Sequence, residues 1–156
     1  MEYKIKLATQ LDNNKIIAKL REAHQDGPYK SKQSFNDARS LAVLNHIHHQ
    51  GPQGGMVMVA EDTEGDIVGL FGAVVSYSSF SMDPLGVEML WWVSPKARKS
   101  RLSITLVDGF EMWAKKLGLT KLVLGSMENE HSDAIDRFYK RRGYELTERT
   151  YFKELT

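Results

Sequence analysis

The order of elements predicts an α/β or α+β domain built on a mixed sheet covered by helices. Three observations carry that prediction. Leu102, Leu106, Phe110, Trp113 and Leu117 recur at spacings of three and four, the clearest helical period in the chain. Met56-Val57-Met58-Val59-Ala60 is a continuous apolar run of strand length, and the turn signal Glu64-Gly65-Asp66 follows it. Strand-like and helix-like segments then alternate, giving the order β-α-α-β-β-β-α-β-α-β-β.

Each element has its own signal. Residues 3–8 set Tyr3, Ile5 and Leu7 against Glu2, Lys4 and Lys6, which reads as a half-buried strand. Residues 12–24 carry Ile16, Ile17 and Leu20 on one side of a helix, with Asp12 as candidate N-cap and Gly27-Pro28 as the break. A second helix is predicted over 35–48. Ser34 and Asp37 resemble a capping box there, and Phe35, Ala38, Leu41, Ala42 and Leu44 form a loose apolar stripe. Gly51-Pro52-Gln53-Gly54-Gly55 ends it. Residues 67–77 are the return strand of the hairpin, with Gly69 and Gly72 as candidate bulge points. Residues 87–93 form a strand rich in aromatic and branched residues, stopped by Ser94-Pro95. The long helix 102–117 stops at Gly118. A short strand over 121–124 precedes a helix over 132–142, with Ser132 as N-cap and Gly143 past its end. Strand-like pieces at 144–146 and 150–153 finish the chain.

One domain spanning 1–156 is the natural reading of 156 residues with no internal repeat, linker or low-complexity tract. With 42% hydrophobic and 26% charged residues the chain is globular in composition. The net charge of +1 gives no global field to draw in nucleic acid or an anionic membrane. Zero Cys removes disulfides, thiolate metal sites and Cys nucleophiles, and fits a reducing compartment. The N-terminal stretch lacks the apolar core of a signal peptide, and no apolar run reaches the roughly 20 residues of a membrane span. The expected location is the cytoplasm.

The segment from Ser94 to Ser103 lies between strand 87–93 and helix 102–117. It brings Lys96, Arg98, Lys99 and Arg101 together with Ser100 and Ser103 at a helix N-terminus. Free backbone N–H groups and the helix dipole favour an anion there, and a diphosphate is a natural ligand. A solvated basic turn with Ser100 as a simple cap is the competing reading. Glu88 is the one carboxylate on the otherwise apolar strand 87–93. It either faces solvent or sits in a pocket, where burial raises its pKa. Phe138 and Tyr139 have the spacing of core aromatics on a short helix. His46 and His49 share a helix face, and His48 lies between them, but no third ligand accompanies them, so no metal is assigned.

Val93-x-Pro95-x-x-Arg98-x-x-Arg101-x-Ser103, followed by an amphipathic helix, resembles the acetyl-CoA diphosphate loop of the GNAT (GCN5-related N-acetyltransferase) family, usually Arg/Gln-x-x-Gly-x-Gly/Ala. Arg101 stands where the family has its middle Gly. The stretch from Ser132 through Phe138-Tyr139-Lys140-Arg141-Arg142-Gly143-Tyr144 is similar to the family's later segment, with Ser132 in place of its Asn. Asn129 and His131 are close by but out of register. The likeness covers roughly 56–154; the first 55 residues match in element order only.

The resemblance implies a mostly antiparallel sheet and transfer of an acetyl group from acetyl-CoA to a primary amine of a small molecule or protein. It implies Tyr139 as acid for the leaving thiolate and Glu88 as base. It places the donor along the backbone of Trp91, Trp92 and Val93, over Arg98, Lys99, Ser100, Arg101, Leu102 and Ser103, and beside Ser132. A homodimer is common in the family. The departures at Arg101 and Ser132 leave a second reading, a non-catalytic module that binds CoA or a protein partner.

Overall fold

The computed structural model describes residues 1–128 and 131–156. Its elements are β1 (Tyr3–Leu7), α1 (Asn13–Asp26), α2 (Asp37–His49), β2 (Gly55–Asp62), β3 (Ile67–Ser76), β4 (Leu85–Val93), α3 (Leu102–Lys116), β5 (Leu122–Val123) and α4 (Ser132–Arg141). The sheet runs β1-β2-β3-β4-β5. The first four strands are antiparallel, and β5 joins β4 in parallel.

Helices cover both faces, so β2 and β3 are buried on both sides and lack polar alternation. On one face, Met56, Met58, Phe71, Val93 and Ala73 pack with Leu102, Leu106, Val107 and Phe110 of α3. On the other, Val57, Val59, Leu70, Val74 and Trp92 pack with Ile16 and Ile17 of α1 and Leu44 and Ile47 of α2. Gly69 sits under α3: a Cβ there would lie 2.8 Å from Leu102 Cδ2, so any larger residue would force the buried Leu102 side chain to shift. Gly118 and Gly143, with φ of 75° and 87°, end α3 and α4 in the left-handed conformation that glycine adopts freely.

Four expectations are corrected in detail. Asp12 makes no side-chain cap to α1; its carboxylate accepts from Thr9 N–H at 2.9 Å and closes a capping box around Gln10–Asp12. Asn36, not Ser34, caps α2, its side chain accepting from Arg39 N–H at 2.8 Å. The inward face of α2 is Leu44 and Ile47, while Ala38, Leu41 and Ala42 are exposed. Residues 144–146 and 150–153 form no strands; Leu146 and Tyr151 face solvent, Tyr144 alone is half-buried, and an unbacked hairpin is marginal in water.

Two register shifts adjoin the two glycines singled out in β3. Ala60 pairs Gly69 and Glu61 pairs Ile67, leaving Val68 extra; Gly72 pairs Leu90 and Ala73 pairs Glu88, leaving Met89 extra. The second bulge positions the site. Residues directly opposite in a ladder share a face. Ala73 faces the α3 side, so its partner Glu88 is turned to that side too, whereas Leu90 and Trp92 pack toward α1 and α2. Strict alternation would have put Glu88 with Leu90 and Trp92; one inserted residue re-aims it.

Candidate active site

The sheet opens at the β4–β5 boundary. The parallel pairing consists of Gly86↔Leu122 and Val87↔Val123 only. Beyond Val87, β4 continues to Val93 with no strand among the described residues on that edge, so backbone groups over Trp91 to Val93 face a split. An extended, amide-rich ligand matches such an edge by the same bonds that a strand would make.

Two side chains meet at the mouth of this split, and both are held by Gly125. Gly125 N–H donates to Glu88 Oε2 at 3.1 Å, and Tyr139 Oη donates to the Gly125 carbonyl at 2.6 Å. Burial raises the Glu88 carboxyl above its ordinary value, and the Gly125 N–H bond draws part of that back. Burial, then the nearby Glu88 and Tyr144, push the Tyr139 phenol well above its usual value, so it stays protonated and remains a donor at neutral pH. One group is thus biased to take up a proton and its neighbour to keep one, the arrangement acid–base chemistry needs.

Tyr139 is seated by its helix. Phe138 points into the α3-side core, so Tyr139, one residue on, turns toward the split. Its ring lies 6.0 Å from Trp91 and 5.7 Å from Tyr144, centroid to centroid. The end of α4 is tied to α3: Arg142 donates to Glu111 at 3.1 and 2.9 Å and to Asp108 at 2.6 Å, and Tyr144 Oη donates to Glu111 Oε1 at 3.1 Å.

The basic loop leads from β4 into α3 through a single turn, Pro95–Ala97. Arg101 holds the N-cap position of α3, without a side-chain cap bond; the Ser100 hydroxyl just before it donates to the Ala97 carbonyl at 2.6 Å and accepts from Leu102 N–H at 3.2 Å. Arg101 has φ −80°, a conformation any residue adopts, so replacing a glycine there costs no backbone strain. Its side chain and that of Lys99 are exposed and in no ion pair among the described residues. The N–H groups of Ser103 and Ile104, in the first turn of α3, likewise meet no protein acceptor there. These donors fit a diphosphate. Lys96 is turned away, paired with Asp62 and Asp66 at 2.9 and 3.4 Å. Leu102 is fully buried in the core, so only its backbone belongs to the loop surface.

The structure therefore gathers Glu88, Tyr139 and the β4 edge of Trp91, Trp92 and Val93, with the loop at the far end of that edge. The Trp92 side chain packs in the α1/α2-side core. Ser132 is the first residue of α4, with His131 rather than Ser132 at the cap position. Asn129 lies outside the described residues. His48 hydrogen-bonds Asn13 Oδ1 at 3.1 Å and is pushed toward neutrality by burial. Gly125 was not singled out in the sequence; its one signal is a glycine just past a short strand, where a side chain would crowd Glu88.

Known proteins resemble the chain in sequence and in fold. The family described as "Acetyltransferase (GNAT) family" matches residues 14–144. An uncharacterised N-acetyltransferase of Schizosaccharomyces pombe is 27% identical over 149 residues, 94% of this chain and 83% of that protein. The glucosamine-6-phosphate N-acetyltransferase of Arabidopsis thaliana shares the fold with a TM-score of 0.72 at 18% identity, over 100% of both chains. An aminoglycoside N-acetyltransferase solved with CoA superposes with a TM-score of 0.72 at 15% identity, covering 99% of this chain and 95% of that one.

Proposed function

The chain belongs to the GNAT family of acetyltransferases, and we propose on that footing that Glu88 is its base and Tyr139 its acid. The reaction is N-acetyl transfer, with acetyl-CoA as donor and a primary amine as acceptor. The observation that carries the assignment of roles is the convergence of Glu88 and Tyr139 on the two backbone groups of Gly125, at the point where β4 and β5 part.

The chemistry follows from the placement. The acceptor ammonium must lose a proton before its nitrogen can attack, and Glu88, raised by burial, is poised to take it. The nitrogen lone pair forms a C–N bond to the thioester carbonyl, and the carbonyl electrons move onto oxygen. A free N–H of the β4 edge supplies the donor for that oxyanion. Collapse breaks the C–S bond, and the departing thiolate takes its proton from Tyr139. The nitrogen, still carrying an extra proton from the attack, sheds it to solvent as the C–S bond breaks; the products are an acetamide and free CoA, solvent reprotonates the phenol, and Glu88 releases its proton to solvent. Arg101, Lys99 and the first-turn N–H groups of α3 hold the diphosphate, which fixes the thioester along β4.

Acetyl-CoA is offered with a panel of primary amines, and released thiol and acetylated product are followed together. Amine-dependent, equimolar release is the expected result. Tight binding of acetyl-CoA with no product from any amine would instead favour the non-catalytic module.

A further inference from the structure

Arg98 is the loop cation nearest in type to the family pattern, yet its side chain is already committed. Nη2 donates to Asp26 Oδ2 at 2.6 Å, and Nε donates to the Val93 carbonyl at 3.1 Å. Together the two bonds fix the plane of the guanidinium. Asp26 is the last residue of α1, where a carboxylate opposes the helix dipole, so a cation partner is needed there. The next residue, Gly27, packs on Met127, whose Sδ would lie 3.5 Å from a Cβ built at Gly27; Met127 is two residues past Gly125. A chain of contacts therefore runs from the end of β4, through Arg98 and Asp26, to the segment that holds Glu88 and Tyr139. Arg101 and Lys99, by contrast, make no ion pair among the described residues and flank the open turn of α3.

We propose that Arg98 is a positioning residue rather than a diphosphate ligand. It ties the C-terminus of α1 to the end of β4, and Arg101, standing where a glycine is usual, supplies the charge that the diphosphate meets. To reach the first turn of α3, Arg98 would have to leave both of its partners and strand Asp26 at a helix C-terminus. Arg101 has nothing to leave. The exposure of the Arg98–Asp26 pair, 44% and 38%, makes it a modest contributor to global stability. Its weight lies in where it holds the end of α1 against the segment that follows Gly125. This inference rests on acetyl-CoA being the donor.

The test is calorimetric titration with acetyl-CoA at low and high salt, for wild type and for Asp26→Asn, Arg98→Gln and Arg101→Gln. Arg101→Gln is expected to weaken binding about tenfold at low salt and to flatten the salt dependence. Asp26→Asn and Arg98→Gln are expected to shift affinity by less than about threefold and to keep the wild-type salt dependence. Both should raise the KM of the amine, with the double variant no worse than either single one. Arg98→Lys, which keeps the charge but loses the fork, should behave as Arg98→Gln does. The opposite pattern overturns the assignment: Asp26→Asn tightening acetyl-CoA, Arg98→Gln flattening the salt dependence, and Arg101→Gln leaving both unchanged. Absence of binding by the wild type would sink the donor assignment itself, and this inference with it.

Discussion

Replacing Tyr139 by Phe removes one oxygen from the site, and the structure sets what that should do. The ring keeps its contacts with Trp91 and Tyr144, so no cavity opens. The loss is the 2.6 Å bond to the Gly125 carbonyl, a neutral hydrogen bond worth about 1 kcal/mol. Such a loss lowers Tm by about 2–4 °C in a domain of this size. Fed entirely into the barrier, about 1 kcal/mol slows a reaction only about fivefold. A general acid contributes roughly 10²- to 10⁴-fold. The two roles therefore differ by more than an order of magnitude. The assay is the initial rate of thiol release at saturating acetyl-CoA with a productive amine, alongside calorimetric affinity and thermal melting. The expectation is kcat and kcat/KM falling together by at least about 100-fold, with acetyl-CoA affinity within about threefold of wild type. A variant within about fivefold of wild-type kcat would refute the acid role and leave Tyr139 a packing residue.

Four further outcomes follow from the same geometry. Glu88 must be ionised to act as base, and its pKa is raised, so kcat/KM should climb with pH along a limb displaced above the ordinary carboxylate range, a limb that Glu88→Gln removes along with activity. The stability sign is opposite: a buried acid with a raised pKa contributes stability below its unfolded value and loses it as pH rises through the folded one, so Glu88→Gln should melt no lower than wild type at neutral pH. In Gly125→Ala the new Cβ would sit 3.2 Å from Glu88 Oε2, so the carboxylate must give by a few tenths of an ångström; turnover should drop by up to about tenfold with Tm nearly unchanged, as checked by kinetics and melting. Phe110→Ala removes a fully buried ring that contacts Phe71 at 5.0 Å, and should cost about 3–5 kcal/mol, read as a Tm loss on the order of 10 °C.

What could be read from the chain depended on how local each signal was. The run Met56–Ala60 and the period through Leu102, Leu106 and Phe110 announce a doubly covered strand and a core-facing helix, because burial on these scales leaves a pattern many residues long. Capping is decided by one side chain against its neighbour: Ser34 and Asn36 are both good caps, and the path of the chain out of Pro28–Ser31 chooses Asn36. The α2 stripe was misread because Ala38, Leu41 and Ala42 are apolar yet face outward, while Ile47 does the burying beside Leu44. The end of the chain alternates weakly, and beyond the contacts of Tyr144 with Tyr139 and of Phe152 with Tyr29 its apolar residues Leu146, Tyr151 and Leu155 stay exposed.

At the site, the residue types of Glu88, Tyr139 and the basic loop were visible, but their assembly was not. A bulge at Met89 decides which face Glu88 takes, and a bulge shifts register by one residue without any distinctive composition. Gly125 acts through its backbone, which sequence does not display. The Arg98–Asp26 pair joins positions 72 residues apart, and only the packing of α1 on the sheet brings them together.

The central claim is that the split beside Gly125 performs acyl transfer through Glu88 and Tyr139. Its most direct test is quantitation of acetylated amine and free thiol from acetyl-CoA, for wild type, Glu88→Gln and Tyr139→Phe, with acetyl-CoA binding measured on the same preparations. The account predicts equimolar, amine-dependent products from wild type, and losses of at least about 100-fold in both variants with donor affinity retained. Equal rates in all three proteins, with donor bound, would contradict it.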